Sequence, residues 1–164
     1  MEKSLRQTNL PYPQFALPEA TVPESLLLMT IRLWRKSRVA ESRELLPDWR
    51  GGLCALGLAH IAEDIVSPLL DSIFYTAESP GPVGLHACSL GKEELLVINA
   101  IGAIQHRRMA EVRSWVAGLV FPATARVVIP LLTRLAAALE FKGMVLPDRT
   151  TGLVDESIPD SSVH

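Results

Sequence analysis

The sequence predicts an all-α fold, a helical bundle of about five helices with an extended N-terminal arm and a loose C-terminal tail. Apolar residues recur at three- and four-residue spacing in five stretches, and no stretch alternates like a strand. Prolines and glycines separate these stretches, except that the run His106-Arg107-Arg108 separates the third from the fourth. The 164 residues are 48% apolar and 21% charged, a composition typical of one globular domain. We therefore expect an arm over 1–22, a single domain over 23–146 and a flexible tail over 147–164.

The first helix is expected over 23–46. Prolines at 11, 13 and 18 keep the preceding arm extended, and Pro23 suits a first helical turn. Pro47 ends the helix. Its apolar stripe comprises Leu27, Ile31 and Trp34.

The second helix is expected over 49–77, with a kink or a break at Pro68 and a loop over 78–84. At about 100° per residue, one broad arc is apolar and the opposite side is polar. The apolar arc comprises Cys54, Leu58, Ile61, Ala62, Ile65, Leu69 and Ile73. The polar side comprises His60, Glu63, Asp64, Ser67 and Asp71.

The third helix is expected over 90–107, with Ser89 as its N-cap. Apolar residues cover both of its sides, a pattern typical of a helix at the centre of a bundle or at a dimer interface. This pattern is the main sequence argument for self-association.

The fourth and fifth helices are expected over 109–120 and 122–142. Pro122 opens the last helix, Pro130 falls on its wetter side and Gly143 ends it. The buried residues of the two helices are expected to be Val112, Trp115, Val116, Leu119, Val128, Leu131, Leu132, Leu135 and Leu139.

The mean hydropathy is positive, which suits either a membrane protein or one that buries a subunit interface. A spanning helix needs about 20 consecutive apolar residues, and Arg126 and Arg134 interrupt the longest apolar stretch. Residues 1–22 do not resemble a secretion signal. We therefore expect a cytoplasmic homo-oligomer without a membrane span. Because thiols stay reduced in that compartment, we expect Cys54 and Cys88 to be buried thiols.

A ligand site is predicted on the polar side of the second helix, at His60, Glu63, Asp64 and Asp71. His60 and Asp64 are four residues apart, so the carboxylate can orient the imidazole as in a general base or a metal ligand. The alternative is an ordinary solvated helix face.

A metal or haem site assembled from His60, His86, Cys88 and His106 is a related hypothesis. Cys88 would also precede a helix N-terminus, which favours a thiolate. The alternative is a loop cysteine packed beneath the helix. No particular cofactor is indicated.

A third hypothesis is nucleic-acid binding through the basic strip Arg32, Arg35, Lys36 and Arg38. The net charge of −2 argues against it, and such a run is also typical of a salt-bridged, solvated face. No nucleotide-binding or hydrolase motif is present. The sequence therefore favours a non-enzymatic helical interaction or regulatory protein that associates with itself, and leaves an enzymatic role open.

Overall fold

The computed structural model describes residues 10–38, 45–75 and 87–150, which form six α-helices and no strand. The helices are α1 (Val22–Ser37), α2 (Gly51–Ala55), α3 (Ser67–Phe74), α4 (Lys92–Gln105), α5 (Met109–Leu119) and α6 (Pro122–Phe141). The prediction of an all-α bundle is confirmed.

Helix α4 lies at the centre of this bundle. Every residue from Glu94 to Gln105 is buried, and α1, α5 and α6 pack against the helix. Helix α3 packs in turn on α6. The two apolar sides of α4 are therefore both covered within one chain. Helix α4 thus offers no face to a second copy, and the main sequence argument for self-association loses its basis.

Helix α1 begins as predicted but ends earlier. The Glu24 carboxylate accepts the Thr21 amide N–H at 2.9 Å, and the buried stripe runs as far as Trp34. The Ser37 hydroxyl then donates to the Trp34 carbonyl at 2.6 Å, a local bond that competes with further helix. The predicted end at residue 46 is wrong, because residues 45–48 are not helical; residues 39–44 lie outside the described part of the chain.

The predicted helix over 49–77 is not one helix. Gly57 has a φ of 72°, a left-handed conformation that glycine adopts readily, and it ends α2 after five residues. A 3₁₀ turn (Ala59–Ile61) and a π turn (Ala62–Val66) then lead into α3. Pro68, in the first turn of α3, has no N–H for a preceding carbonyl, which is consistent with the wider turn before it.

The other helix boundaries follow the sequence more closely. The N-cap of α4 is Gly91 rather than the predicted Ser89, because the Glu94 carboxylate accepts the Gly91 N–H at 3.0 Å. Helix α6 begins at Pro122, exposes Pro130 and is followed by Gly143 with a φ of 75°, all as predicted.

The arm packs on the bundle over its described residues, 10–21. The Tyr12 hydroxyl donates to the Lys92 carbonyl at 2.7 Å, and its ring meets Trp115 edge-on at 5.8 Å between centroids. The Asn99 side chain donates to the Pro13 carbonyl at 2.8 Å. Tyr12 and Phe15 belong to the core, so this part of the arm is fixed by burial.

Residues 144–150, here called the C-terminal strap, cross back over α4. The Gln105 amide donates to the Met144 carbonyl at 3.0 Å and accepts the Leu146 N–H at 2.7 Å. Asp148 pairs with Arg108, whose Nε lies 2.6 Å from Oδ2. The loose tail predicted from residue 147 is thus wrong for 147–150, while 151–164 lie outside the described residues.

Both cysteines are exposed, which corrects the expectation of buried thiols. Cys54 was placed on the apolar arc of a long helix. Helix α2 has only five residues, so the arc that begins at Leu58 does not extend back to Cys54.

Candidate functional site

The predicted ligand site around His60 separates into two groups. His60, Glu63 and Asp64 are exposed on the 3₁₀ and π turns before α3. Glu63 pairs with Arg50, whose Nε lies 2.7 Å from Oε1, and Arg50 also pairs with Asp48 at 3.1 Å. This first group therefore consists of solvent-exposed ion pairs and the exposed imidazole of His60.

The second group faces α1. Ser67 is buried and accepts hydrogen bonds from the Trp34 indole and from Arg38, both at 3.3 Å. Asp71 lies 3.4 Å from Arg38. An uninterrupted α-helix would place Ser67 and Asp71 on the same side as His60, but the irregular turns change the register between them.

The three described residues of the proposed metal set, His60, Cys88 and His106, are not grouped into a metal site. His60 and Cys88 are exposed, and the His106 ring nitrogen Nε2 lies 2.9 Å from the Leu146 carbonyl oxygen. Across 10–38, 45–75 and 87–150, no three His, Cys, Asp or Glu side chains are grouped so as to hold a metal ion. His86 lies outside these ranges, so the set that includes it stays a prediction.

The basic strip is not one continuous exposed surface. Arg32 is buried, with Nε 2.7 Å from Oε2 of Glu94, and it also donates to the Ala87 carbonyl at 2.7 Å. Arg35 stacks over the Phe74 ring at 4.5 Å and Arg38 over Trp34 at 4.9 Å. Lys36 is half-buried. Arg32 is therefore out of reach of a phosphate backbone, and Arg35 and Arg38 already hold contacts within the chain.

Sequence reasoning missed a second ion pair, in which a buried carboxylate meets a partly buried guanidinium. Glu24 is buried and accepts from Arg149 of the strap, whose guanidinium nitrogen lies 2.8 Å from Oε1. The Arg149 guanidinium also stacks on the Phe15 ring at 3.8 Å. One signal was available: Glu24 and Arg32 each lie four residues from Leu28, in the buried stripe of α1. These groups hold arm, α1, α4 and strap together, which is a structural role.

Exposed apolar side chains lie at and along α6. Phe121, Val127 and Phe141 are 72%, 49% and 89% exposed. Phe121 precedes the helix, whereas Val127 and Phe141 lie on one side of it and, with smaller neighbours, form what we call the α6 outer face. Its exposed members within the helix are Ala123, Arg126, Val127, Pro130, Arg134, Ala137, Glu140 and Phe141.

Helix α6 is also the single helix, among the residues described, that is long and apolar enough to cross a membrane by length and composition. Arg126 and Arg134, which carried the sequence argument against a span, do not remove it from this class. The core helix of a soluble protein has the same properties, and α6 buries a stripe from Val128 to Leu139.

Comparison of the chain with known protein families, with curated proteins and with solved structures finds no match. The function must therefore be argued from the surface itself.

Proposed function

We propose that the protein is a helical interaction protein that associates with copies of itself through the α6 outer face. The observation that carries the proposal is the exposure of Val127 and Phe141 on one side of α6. Each apolar side chain removed from water contributes about 25 cal/mol per Å². Exposed apolar surface arranged along one side of a helix is typical of a protein-binding site.

The charged groups elsewhere favour this surface over the other two hypotheses. The carboxylate of Glu63 beside His60 is already paired with Arg50, and Arg32 is buried with Glu94. Arg126 and Arg134, in contrast, have no ion-pair partner among the described residues. The α6 outer face therefore combines exposed apolar side chains with an arginine, Arg126, that is available to pair with an acidic group of a partner.

Sedimentation velocity over micromolar concentrations tests the proposal. We expect the wild-type chain to sediment as an oligomer, and Val127→Glu and Phe141→Glu to shift it toward monomer. Tyr75→Glu is the matched control, since Tyr75 is 81% exposed and follows α3, so it is not part of the α6 outer face. A wild-type chain that stays monomeric throughout would overturn the proposal.

A further inference from the structure

We infer that the α6 outer face pairs with the same face of a second copy in an antiparallel, two-fold symmetric arrangement centred near Thr133. This inference rests on the proposed self-association and adds its geometry. It derives from the order of charges and side-chain sizes along the exposed helix.

The outer face consists of three rows of residues at seven-residue spacing. Seven residues make nearly two full turns, so the members of a row lie above one another with a drift of about 20°. The middle row is Ala123, Pro130 and Ala137; one flank is Arg126, Thr133 and Glu140, and the other is Val127, Arg134 and Phe141.

The first flank is complementary to itself in one direction only. Arg126 and Glu140 lie on either side of Thr133, each about 10 Å along the axis at 1.5 Å per residue. A two-fold axis beside Thr133 places Arg126 of one copy opposite Glu140 of the other, twice per dimer. A parallel two-fold pair would instead place this flank opposite the other one, with Arg126 near Val127 and Glu140 near Phe141, so neither charge would gain an opposite charge.

The other two rows agree with the same register. Pro130 falls opposite Ala137, and these small side chains let two helices approach closely. Val127 falls opposite Phe141, which covers two of the large apolar side chains that are exposed in the single chain. An isologous contact of this kind is the commonest arrangement of homodimers.

One residue opposes the dimer. Arg134 of one copy lies opposite Arg134 of the other near the two-fold axis. Two like charges therefore approach each other on the flank that also holds Val127 and Phe141. Because Arg134 is exposed, its guanidinium can extend into water, but the repulsion limits affinity. The arrangement therefore predicts that loss of this cation strengthens association, whereas a surface that binds anionic lipid or nucleic acid would be weakened.

Charge-reversal variants test the register by sedimentation equilibrium. Arg126→Glu and Glu140→Arg are each expected to raise the dimer Kd roughly fivefold or more, because each sets like charges opposite one another. The double variant restores the pairs and is expected within roughly twofold of wild type. Arg134→Gln is expected to lower the Kd.

Glu140 also has a loose partner in its own chain, with Arg107 at 4.0 Å. Arg107→Gln removes that pair without changing the outer face, so it is the matched control and should leave the Kd unchanged. Urea unfolding of each variant checks that the fold is kept. A wild-type dimer whose double variant is as weak as the weaker single variant would overturn the antiparallel register while leaving self-association intact.

Vesicles of phosphatidylserine and phosphatidylcholine distinguish a lipid surface as the occupant. A lipid-binding surface predicts three results: the wild-type chain binds the vesicles, Arg134→Gln weakens both vesicle binding and sedimentation-detected association, and Glu140→Arg strengthens vesicle binding. If all three are found, the inference is wrong. No vesicle binding, together with the reciprocal charge pattern, supports the dimer.

Discussion

Arg32 and Glu94 form an ion pair inside the bundle, with Nε and Oε2 2.7 Å apart and both side chains almost fully buried. The pair joins α1 to the first turn of α4. Two further acceptors, the carbonyls of Ala87 and Ser89, complete the surroundings of the guanidinium. Burial of a charge is costly without such partners, so loss of one partner leaves the other uncompensated.

Glu94→Gln is accordingly expected to lower the free energy of unfolding by about 3 kcal/mol or more, since it removes the carboxylate charge that lies against the buried Arg32 guanidinium. Urea unfolding measures this loss. Glu63→Gln is the control, because Glu63 and its partner Arg50 are both exposed and solvent screens their pair, so a much smaller loss is expected. Equal, small losses in the two variants would contradict a dominant role for the buried pair.

The double variant Arg32→Met with Glu94→Leu tests two interpretations of this pair. Either the ion pair itself stabilises the fold, or each charge only requires the other because both are buried. Replacement of a buried pair by apolar side chains of similar volume is often close to neutral. We therefore expect it to be more stable than Glu94→Gln alone, and a double variant less stable than the single one would contradict this.

Gly52 lies where α2 meets α1, and Gly51 beside it does not. A Cβ on Gly52 would overlap the Thr30 hydroxyl and lie 2.9 Å from the Leu26 carbonyl oxygen, whereas one on Gly51 meets nothing within 4 Å. Gly52→Ala should therefore destabilise the fold by about 1–3 kcal/mol. Gly51→Ala should change stability by less than about 1 kcal/mol, in either direction. Thermal unfolding of the two variants side by side checks this, and equal midpoints would refute the close approach.

Burial raises the pKa of Tyr12 to about 12, with a smaller contribution from the negative charge of Glu93. Because this folded value lies above the usual 10.0, the contribution to stability is complete below about pH 10 and is lost as the pH rises through about 12. Titration of tyrosinate absorbance in Tyr75→Phe, which leaves Tyr12 as the only tyrosine, measures it. Ionisation near pH 10 in the folded chain would show that the arm is not packed on Lys92 and Trp115.

The bounds and the buried residues of a helix could be predicted from the sequence where the apolar spacing and the helix-terminal residues agree. In α6 the buried residues Val128 to Leu139, the first residue Pro122 and the following Gly143 all follow from local rules. The stretch from 49 to 77 has equally clear apolar spacing, yet Gly57 turns left-handed and Pro68 follows a π turn, so one projection placed Ser67 beside His60.

Partners distant in the sequence were not predictable in the same way. Arg32 and Glu94 are 62 residues apart, and Glu24 and Arg149 are 125 apart. The charge run 32–38 resembled a solvated strip in the sequence. Helical periodicity shows which side of a helix is buried, but it does not show which distant carboxylate will pair with a buried arginine such as Arg32. The outer face of α6 was foreseen only as the wetter side that carries Pro130; its apolar character emerges once the other helices are in place.

The C-terminal strap lies close against α4 at Gly102, where an added Cβ would lie 2.6 Å from the Pro147 carbonyl oxygen. Gly118, inside α5, has nothing within 4 Å of the same position. Alanine adds about 1 kcal/mol of helix propensity at either site, so Gly118→Ala should stabilise the fold by about that amount.

Gly102→Ala should instead destabilise the fold by about 1–3 kcal/mol, because the backbone of the strap has to move away from α4. The Leu146 amide, held at 2.7 Å from Gln105, reports that movement through faster hydrogen exchange. If Gly102→Ala and Gly118→Ala stabilised the chain equally, with Leu146 exchange unchanged, the strap would not be packed on α4. A loss at Gly102 alone, with faster exchange at Leu146, would place residues 144–150 in the folded domain.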